Sequence, residues 1–268
     1  MTDIRMGVVG VAGRMGRALV REIVAAEGAM LAGGIDRPGS DHIGRDIGEL
    51  AGIGMVGIEA VDNGQALCAV SDVVLDFSSP EATVALAKQA ARAGIVHVIG
   101  TTGLSEDDIK QLMESAREAV IIRSANMSVG VNLLLELTRE VASRLGPEFD
   151  IEIAEMHHRM KVDAPSGTAL ALGEAAAHGR GVALSDVANR GRDGITGARR
   201  RGDIGFAVLR GGTVAGDHTV IFAGDDERIE LTHKAGDRAL FARGAVRAAL
   251  WGREKKPGLY SMADVLGF

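Results

Sequence analysis

Apolar runs alternate with helix-patterned segments through the first half of the chain. A glycine-rich turn spans Gly10–Gly16, and consecutive strand-like runs joined by short turns begin at Ile204. Together these predict an α/β protein: a doubly wound parallel-sheet domain, followed by a second, α+β domain with a mostly antiparallel or mixed sheet. The change of texture places the expected boundary at residue 127, with 128–237 forming the second domain. A length of 268 residues suffices for two modest domains, and 46% hydrophobic with 25% charged residues is ordinary for a soluble globular protein. A net charge of −6 argues against general affinity for nucleic acid. The single cysteine, Cys68, excludes an intrachain disulfide and a cysteine-based zinc site, and favours a reducing compartment. No apolar run approaches the ~20 residues of a membrane span. The apolar stretch Met6–Ala12 is short and glycine-interrupted for a signal peptide, so a cytoplasmic protein is expected.

The first element is a short apolar run, Ile4–Val9, which reads as a buried strand. Gly10-Val11-Ala12-Gly13-Arg14-Met15-Gly16 follows, then a helix-patterned segment, then a second strand, Ala29–Ile35, that ends in Asp36. Strand, glycine turn, helix, strand and acid form the order of a Rossmann-type dinucleotide-binding unit. Gly10 permits the tight turn, Gly13 lets backbone approach a pyrophosphate, and Gly16 allows close packing of helix on strand. The helix N-terminus offers amides and a partial positive charge to phosphates. The spacing, G-x-x-G-x-x-G, is a variant of the usual pattern, and Asp36 strengthens it. A carboxylate there accepts from ribose hydroxyls and favours NADH, whereas Arg37 is suited to the additional phosphate of NADPH.

Residues 38–59 are glycine-rich and irregular, with no evident chemistry. Val73–Phe77 reads as the next strand, and Ser78-Ser79-Pro80-Glu81 as a capped helix start running to Arg92. The strand Ile95–Ile99 leads into Gly100-Thr101-Thr102-Gly103. Ser105 begins another helix, and the strand Val120–Ile122 leads into Ser124-Ala125-Asn126-Met127. In a doubly wound sheet, ligands lie outside the carboxyl ends of the strands. Phe77, Gly100, Thr101, Thr102, Ser124, Ala125, Asn126 and Met127 are therefore candidates for the nicotinamide side of the cofactor site. The competing reading of Thr101 and Thr102 is a capped turn.

The second half opens with one long helix, Ser128–Leu145, stopped by Gly146-Pro147. A strand-like run, Asp150–Met156, then delivers the chain to its most chemically loaded stretch, Glu155–Leu170, E-M-H-H-R-M-K-V-D-A-P-S-G-T-A-L. At a strand end, His157 and His158 can both reach one pocket, and Lys161 brings a cation close by. Asp163-Ala164-Pro165 reads as a turn. Ser166 or Thr168 can cap the next helix, and Gly167 leaves its backbone open to a carboxylate. Gathering His157, His158, His218 and His233 round a zinc ion is disfavoured, because there is neither an H-E-x-x-H motif nor a cysteine partner, so no metal is expected. Gly179–Asp203 carries Arg190, Arg192, Arg199, Arg200 and Arg201 and is expected to be a solvated loop, the alternative being a substrate-gating or subunit-contacting loop. Ile204–Leu209, Thr213–Ala223 and Arg228–His233 read as successive strands paired antiparallel, and Asp237–Leu250 as a final helix.

With these motifs in place, the chain resembles the 4-hydroxy-tetrahydrodipicolinate (dihydrodipicolinate) reductase family. The resemblance is carried by G-V-A-G-R-M-G at 10–16, D-F-S-S-P-E at 76–81, G-T-T-G at 100–103, S-A-N-M-S-V-G-V-N at 124–132 and, above all, H-H-R-M-K-V-D-A-P-S-G-T-A at 157–169. It implies NAD(P)H-dependent reduction of a small cyclic dicarboxylate in lysine and diaminopimelate biosynthesis. Gly10 to Met15, Asp36, Gly100 to Thr102 and Ser124 to Met127 would bind the dinucleotide, with Arg37 on the additional phosphate of NADPH. His157 and Lys161 would be the proton-transferring pair, while His158, Gly167 and Thr168, with Ser166 at the helix start, would hold the carboxylates. The resemblance further implies a homotetramer joined through the second domain's sheet, and residues 238–268 returning to the first domain. Another two-domain dehydrogenase would share the glycine turn without explaining the 157–169 motif. A dinucleotide sensor without turnover would have no use for proton donors.

Overall fold

The computed structural model describes residues 2–268. The chain begins β1 (Ile4–Val9), α1 (Arg14–Ala25), β2 (Ala29–Ile35), α2 (Ile47–Ala51), β3 (Ala60–Val61) and α3 (Gly64–Val70). It continues β4 (Val73–Asp76), α4 (Pro80–Ala93), β5 (Val96–Ile99), α5 (Glu106–Ser115) and β6 (Val120–Arg123). The expected caps close these helices. Ser79 accepts from the Ala82 amide at the start of α4, with Pro80 in the first turn, and Ser105 forms a reciprocal capping box with Asp108 before α5. Next come α6 (Val129–Arg144), β7 (Asp150–His157), α7 (Gly167–Gly179), α8 (Leu184–Val187), β8 (Ala188–Asn189), β9 (Ile204–Arg210), β10 (Asp217–Ala223) and β11 (Arg228–Lys234). The chain ends with α9 (Ala239–Gly252), β12 (Gly258–Tyr260) and α10 (Met262–Leu266).

Two compact units result: residues 1–129 with 239–268, and residues 130–238. The first holds a seven-stranded sheet of order β12-β6-β5-β4-β1-β2-β3, parallel throughout. Its inner strands are apolar without alternation because both faces are covered. Leu19 and Ile23 of α1 and Ala245 and Ala248 of α9 pack with Met6, Val8, Leu75 and Val98 on one face. Leu67 and Leu86 pack with Val9 and Val74 on the other, where Leu112 meets Ile99 and Ile121. Residues 38–59, expected to be irregular, contain α2. Its five residues are too few to show a period, and it is held instead by Asp46, whose carboxylate accepts from the amides of Gly48, Glu49, Val56 and Gly57.

The second unit holds a five-stranded mixed sheet of order β11-β10-β7-β9-β8. β10 pairs antiparallel with β11 and with β7, whereas β9 pairs parallel with β7. The expected hairpin of β9 with β10 is therefore corrected: β7 lies between them. β7 alternates strictly, burying Ile151 and Ile153 toward α7, and takes the central place in the sheet. The connection from β9 to β10 must then pass over the carboxyl end of β7. It is fixed there by Gly211 N–H donating to His157 O (2.9 Å) and His158 N–H donating to Val214 O (2.8 Å). The arginine-rich segment is exposed from Arg190 to Ala198, as expected of a solvated loop, and is anchored at its end by Arg199. Arg199 donates to Asp150 (2.6 Å) and Glu152 (2.9 Å) of β7 and to the carbonyls of Ile151 and Asp203, and Arg200 pairs with Asp203 (2.6 Å). Asp150 and Glu152, on the central strand β7, draw the charge of Arg199 down onto the face of the sheet.

Candidate active site

In the first unit, the glycine turn links β1 to α1. Gly10 sits at φ 67°, a left-handed conformation that a side chain disfavours. A Cβ on Gly16 would lie 2.1 Å from Gly10 O, so only glycine lets α1 start this close to the turn. Gly13 is the N-cap residue of α1 and contributes no side-chain cap, which leaves the dipole end of the helix to a ligand. Arg14 is exposed, Ala12 and Met15 are half-buried, and the side chain of Val11 is buried. Asp36 follows β2 directly. Its carboxylate accepts from Ser40 Oγ (2.8 Å) and from the Arg37 amide (2.9 Å), and Arg37 itself is exposed. A close helix start, an uncapped N-terminus and a carboxylate at the end of β2 fit a dinucleotide.

The loops after β4, β5 and β6 are stitched side by side: Gly100 N–H donates to Asp76 O (2.9 Å), and Ser124 N–H donates to Ile99 O (3.1 Å). Phe77 lies against Gly100, where a Cβ would meet its ring at 2.2 Å. Ser124 Oγ donates to Asn126 O (2.7 Å), while Ala125 and Thr102 are exposed. Thr101 and Met127 turn inward, at 4% and 1% exposure, so they offer main chain rather than side chain. Thr101 belongs to a buried polar cluster under these loops that sequence reading did not single out. Asp76 accepts from Ser78 Oγ (2.6 Å) and faces His97 Nε2 (3.2 Å), and Thr83 Oγ donates to Thr101 Oγ (2.8 Å). Burial raises the Asp76 carboxyl, but the His97 ring and the hydroxyls outweigh it and hold it below the usual carboxylate range. Both residues lie within apolar-looking strands, and only an unusual His97 between two valines marks them.

In the second unit, the predicted residues gather at the carboxyl end of β7 and the start of α7. His157 is the last residue of β7 and is 8% exposed. His158 lies beyond it under the β9–β10 connection and borders a pocket with Arg159, Gly212, Thr213 and Arg238. Gly216 in that connection approaches the imidazole, and a Cβ there would stand 2.9 Å from His157 Nε2. Lys161 is paired with Asp163 (2.9 Å), which draws the Asp163 carboxyl below its ordinary range. The Ala164–Pro165 peptide is cis, and α7 begins at Gly167 with Ser166 as its cap, accepting from the Ala169 amide at 3.2 Å. A Cβ on Gly167 would meet nothing within 4 Å, so this helix start is sterically open.

Three participants were not assigned roles from the sequence. Glu155, 2% exposed, accepts from His157 Nδ1 (2.6 Å), the Ser166 amide (3.1 Å) and both terminal nitrogens of Arg210 (2.8 and 2.9 Å). Burial raises its carboxyl, but Arg210 and then His157 and the Ser166 amide outweigh that and hold it below the ordinary range. His218 of β10 lies edge-on to His157, with ring centroids 5.1 Å apart, and its Nε2 meets Ser166 Oγ at 3.1 Å. Burial, and then the neighbouring His157, push His218 down to about 4, with His233 and Lys161 adding and Glu155 opposing. Glu155 and His218 are direct register partners on β7 and β10, a relation that appears only once the strands are paired.

The family description "Dihydrodipicolinate reductase, N-terminus" matches residues 4–127, and "Dihydrodipicolinate reductase, C-terminus" matches residues 130–266. The chain is 59% identical over 267 residues to the 4-hydroxy-tetrahydrodipicolinate reductase of Rhodopseudomonas palustris (strain HaA2), covering 100% of this chain and 98% of that protein. It is 58% identical, with the same coverage, to the 4-hydroxy-tetrahydrodipicolinate reductase of Beijerinckia indica subsp. indica. Among solved structures, the dipicolinate-bound dihydrodipicolinate reductase from Paenisporosarcina sp. TG-14 superposes with a TM-score of 0.78 at 25% identity, covering 98% of this chain and 99% of that one.

Proposed function

The chain belongs to the dihydrodipicolinate reductase family, and from that membership we propose that it reduces 4-hydroxy-tetrahydrodipicolinate to tetrahydrodipicolinate, with loss of water, using NADH or NADPH. This is a step of lysine and diaminopimelate biosynthesis. The observation that carries the reading is the end of β7, where a carboxylate-held histidine, a lysine and an open helix start occupy one short connection. When bound, the reduced nicotinamide supplies the hydride that a ring carbon of the dehydrated substrate accepts. The protein's own work is binding, orientation and proton supply. His157 and Lys161 deliver the proton that must accompany the hydride. The helix start at Ser166-Gly167-Thr168, with His158, holds the carboxylates of the substrate.

Gly10 to Met15, Asp36, Phe77, Gly100 to Thr102 and Ser124 to Met127 are the residues that would hold the dinucleotide. Asp36 favours NADH and Arg37 favours NADPH. The chain is read as cytoplasmic; no helix among the described residues is long and apolar enough to cross a membrane. Assembly as a homotetramer through the open face of the second unit's sheet completes the reading. The test is a coupled assay in which purified protein receives the product of dihydrodipicolinate synthase with NADH or NADPH, and nicotinamide absorbance is followed. Oxidation of the dinucleotide is expected, and none with either dinucleotide overturns the reading.

A further inference from the structure

A carboxylate has two oxygens and about four lone-pair sites. At Glu155 all four are taken. Oε2 accepts from His157 Nδ1 (2.6 Å) and Arg210 Nη1 (2.8 Å), and Oε1 accepts from the Ser166 amide (3.1 Å) and Arg210 Nη2 (2.9 Å). A saturated, buried carboxylate opposite a guanidinium has no site left for substrate and little tendency to take up a proton. Its work is therefore done through its donors. An ionised carboxylate only accepts, so His157 Nδ1 must carry the hydrogen, and Nε2 is the nitrogen left for chemistry.

The same group sets the surroundings of the ring. Through the Ser166 amide it fixes the start of α7, and through Arg210, which also donates to the Asp163 carbonyl, it fixes the turn between Lys161 and Ser166. His218 packs edge-on against the ring and closes its other side. We propose that Glu155 is the positioning residue of this site: it holds the His157 imidazole in the Nδ1–H tautomer, at a fixed distance from the carboxylate-binding start of α7. Nε2 then gains or releases the transferred proton, while Nδ1 keeps its own hydrogen on Glu155. The proposal rests on the reading of His157 as a proton-transferring residue.

A kinetic cycle tests it. Glu155→Gln removes the charge while keeping the shape, and kcat is expected to fall tenfold or more, with KM for substrate and for the dinucleotide within about twofold. In a His157→Gln background the same substitution is expected to cost no further kcat. Wild-type kcat in Glu155→Gln, or the same fold loss in both backgrounds, overturns the proposal, because a purely structural ion pair acts regardless of His157. Wild-type turnover in His157→Gln overturns instead the reading on which the proposal rests. Where Glu155→Gln does not fold, the Glu155→Gln/Arg210→Gln pair replaces the ion pair with two amides and enters the same cycle. Nitrogen-15 NMR of histidine-labelled protein supplies a second readout. A hydrogen-bonded Nδ1–H resonance is expected in the wild type, absent in His157→Gln and shifted in the Gln pair; an Nε2–H tautomer in the wild type overturns the proposal.

Discussion

Lys161 pairs with Asp163 at 2.9 Å and keeps only part of its side chain in solvent. Lys161→Ala is expected to lower kcat by about 10²- to 10⁴-fold, the scale of a positioned proton donor, with dinucleotide affinity unchanged; full turnover in the variant would remove Lys161 from the mechanism. Asp36 and Arg37 act on opposite cofactors. Asp36→Ala is expected to raise KM for NADH more than for NADPH, and equal increases would contradict a ribose contact. His218 makes a prediction about stability. Its folded value is about 4 against 6.5 ordinarily. Between those pH values the unfolded chain binds a proton that the folded chain refuses, so stability falls as the pH drops from 6.5 towards 4. The full effect is roughly 3 kcal/mol at most. Urea unfolding at pH 7 and pH 5 is expected to show this loss in the wild type and a shallower one in His218→Gln; identical slopes would show that His218 is not the source.

At the level of elements, α1 is seated by one missing methyl group. Gly16→Ala would place a Cβ 2.1 Å from a main-chain oxygen, Gly10 O, which has no soft torsion to relieve the clash. The helix start must then shift, at a cost of about 1–3 kcal/mol, with a rise in KM for the dinucleotide. Thermal melts and steady-state kinetics check both, and an unperturbed variant would mean that the helix is not held by this approach. The β9–β10 connection shows the converse, an element placed by its surroundings. Its glycines Gly211 and Gly212 read as a simple hairpin turn, and Gly216 as part of the strand that follows. With β7 inserted between the strands, the same residues instead form a bridge over His157 and His158.

At the scale of the whole molecule, the exposed sheet face bears on self-association. The face of the second sheet opposite α7 carries Ala154, Met156, Ala207, Leu209, Thr219 and Ile221, of which Leu209 is 55% exposed. The apolar part of that face, beside Glu152 and the arginines paired with it, is left to water and is a docking liability or an interface. The proposed homotetramer is expected to appear by light scattering as four chains of 27.9 kDa, and Leu209→Glu is expected to shift it to smaller species while each chain keeps its fold. A wild type that runs as a monomer would remove the tetramer.

Local pattern by itself determined the inner strands of the parallel sheet, its longer helices and the caps of α4 and α5, and it pointed to the stretches 10–16, 100–103, 124–127 and 157–168, because apolar period, capping chemistry and motif spacing are properties of contiguous sequence. The short α2 and α3 left no period to read, and Asp76, His97 and His218 sit inside strands where a buried polar residue looks like an interruption. What only the tertiary structure decided was strand order in the second sheet, the docking of the arginine-rich segment on β7, and the partners of Glu155. Those partners, His157, Ser166 and Arg210, come from a strand end, a helix start and a second strand. The physical reason is pairing: the alignment of β7 with β9 brings Arg210 to Glu155, 55 positions away, and nothing in the spacing of one strand specifies which neighbour it will accept.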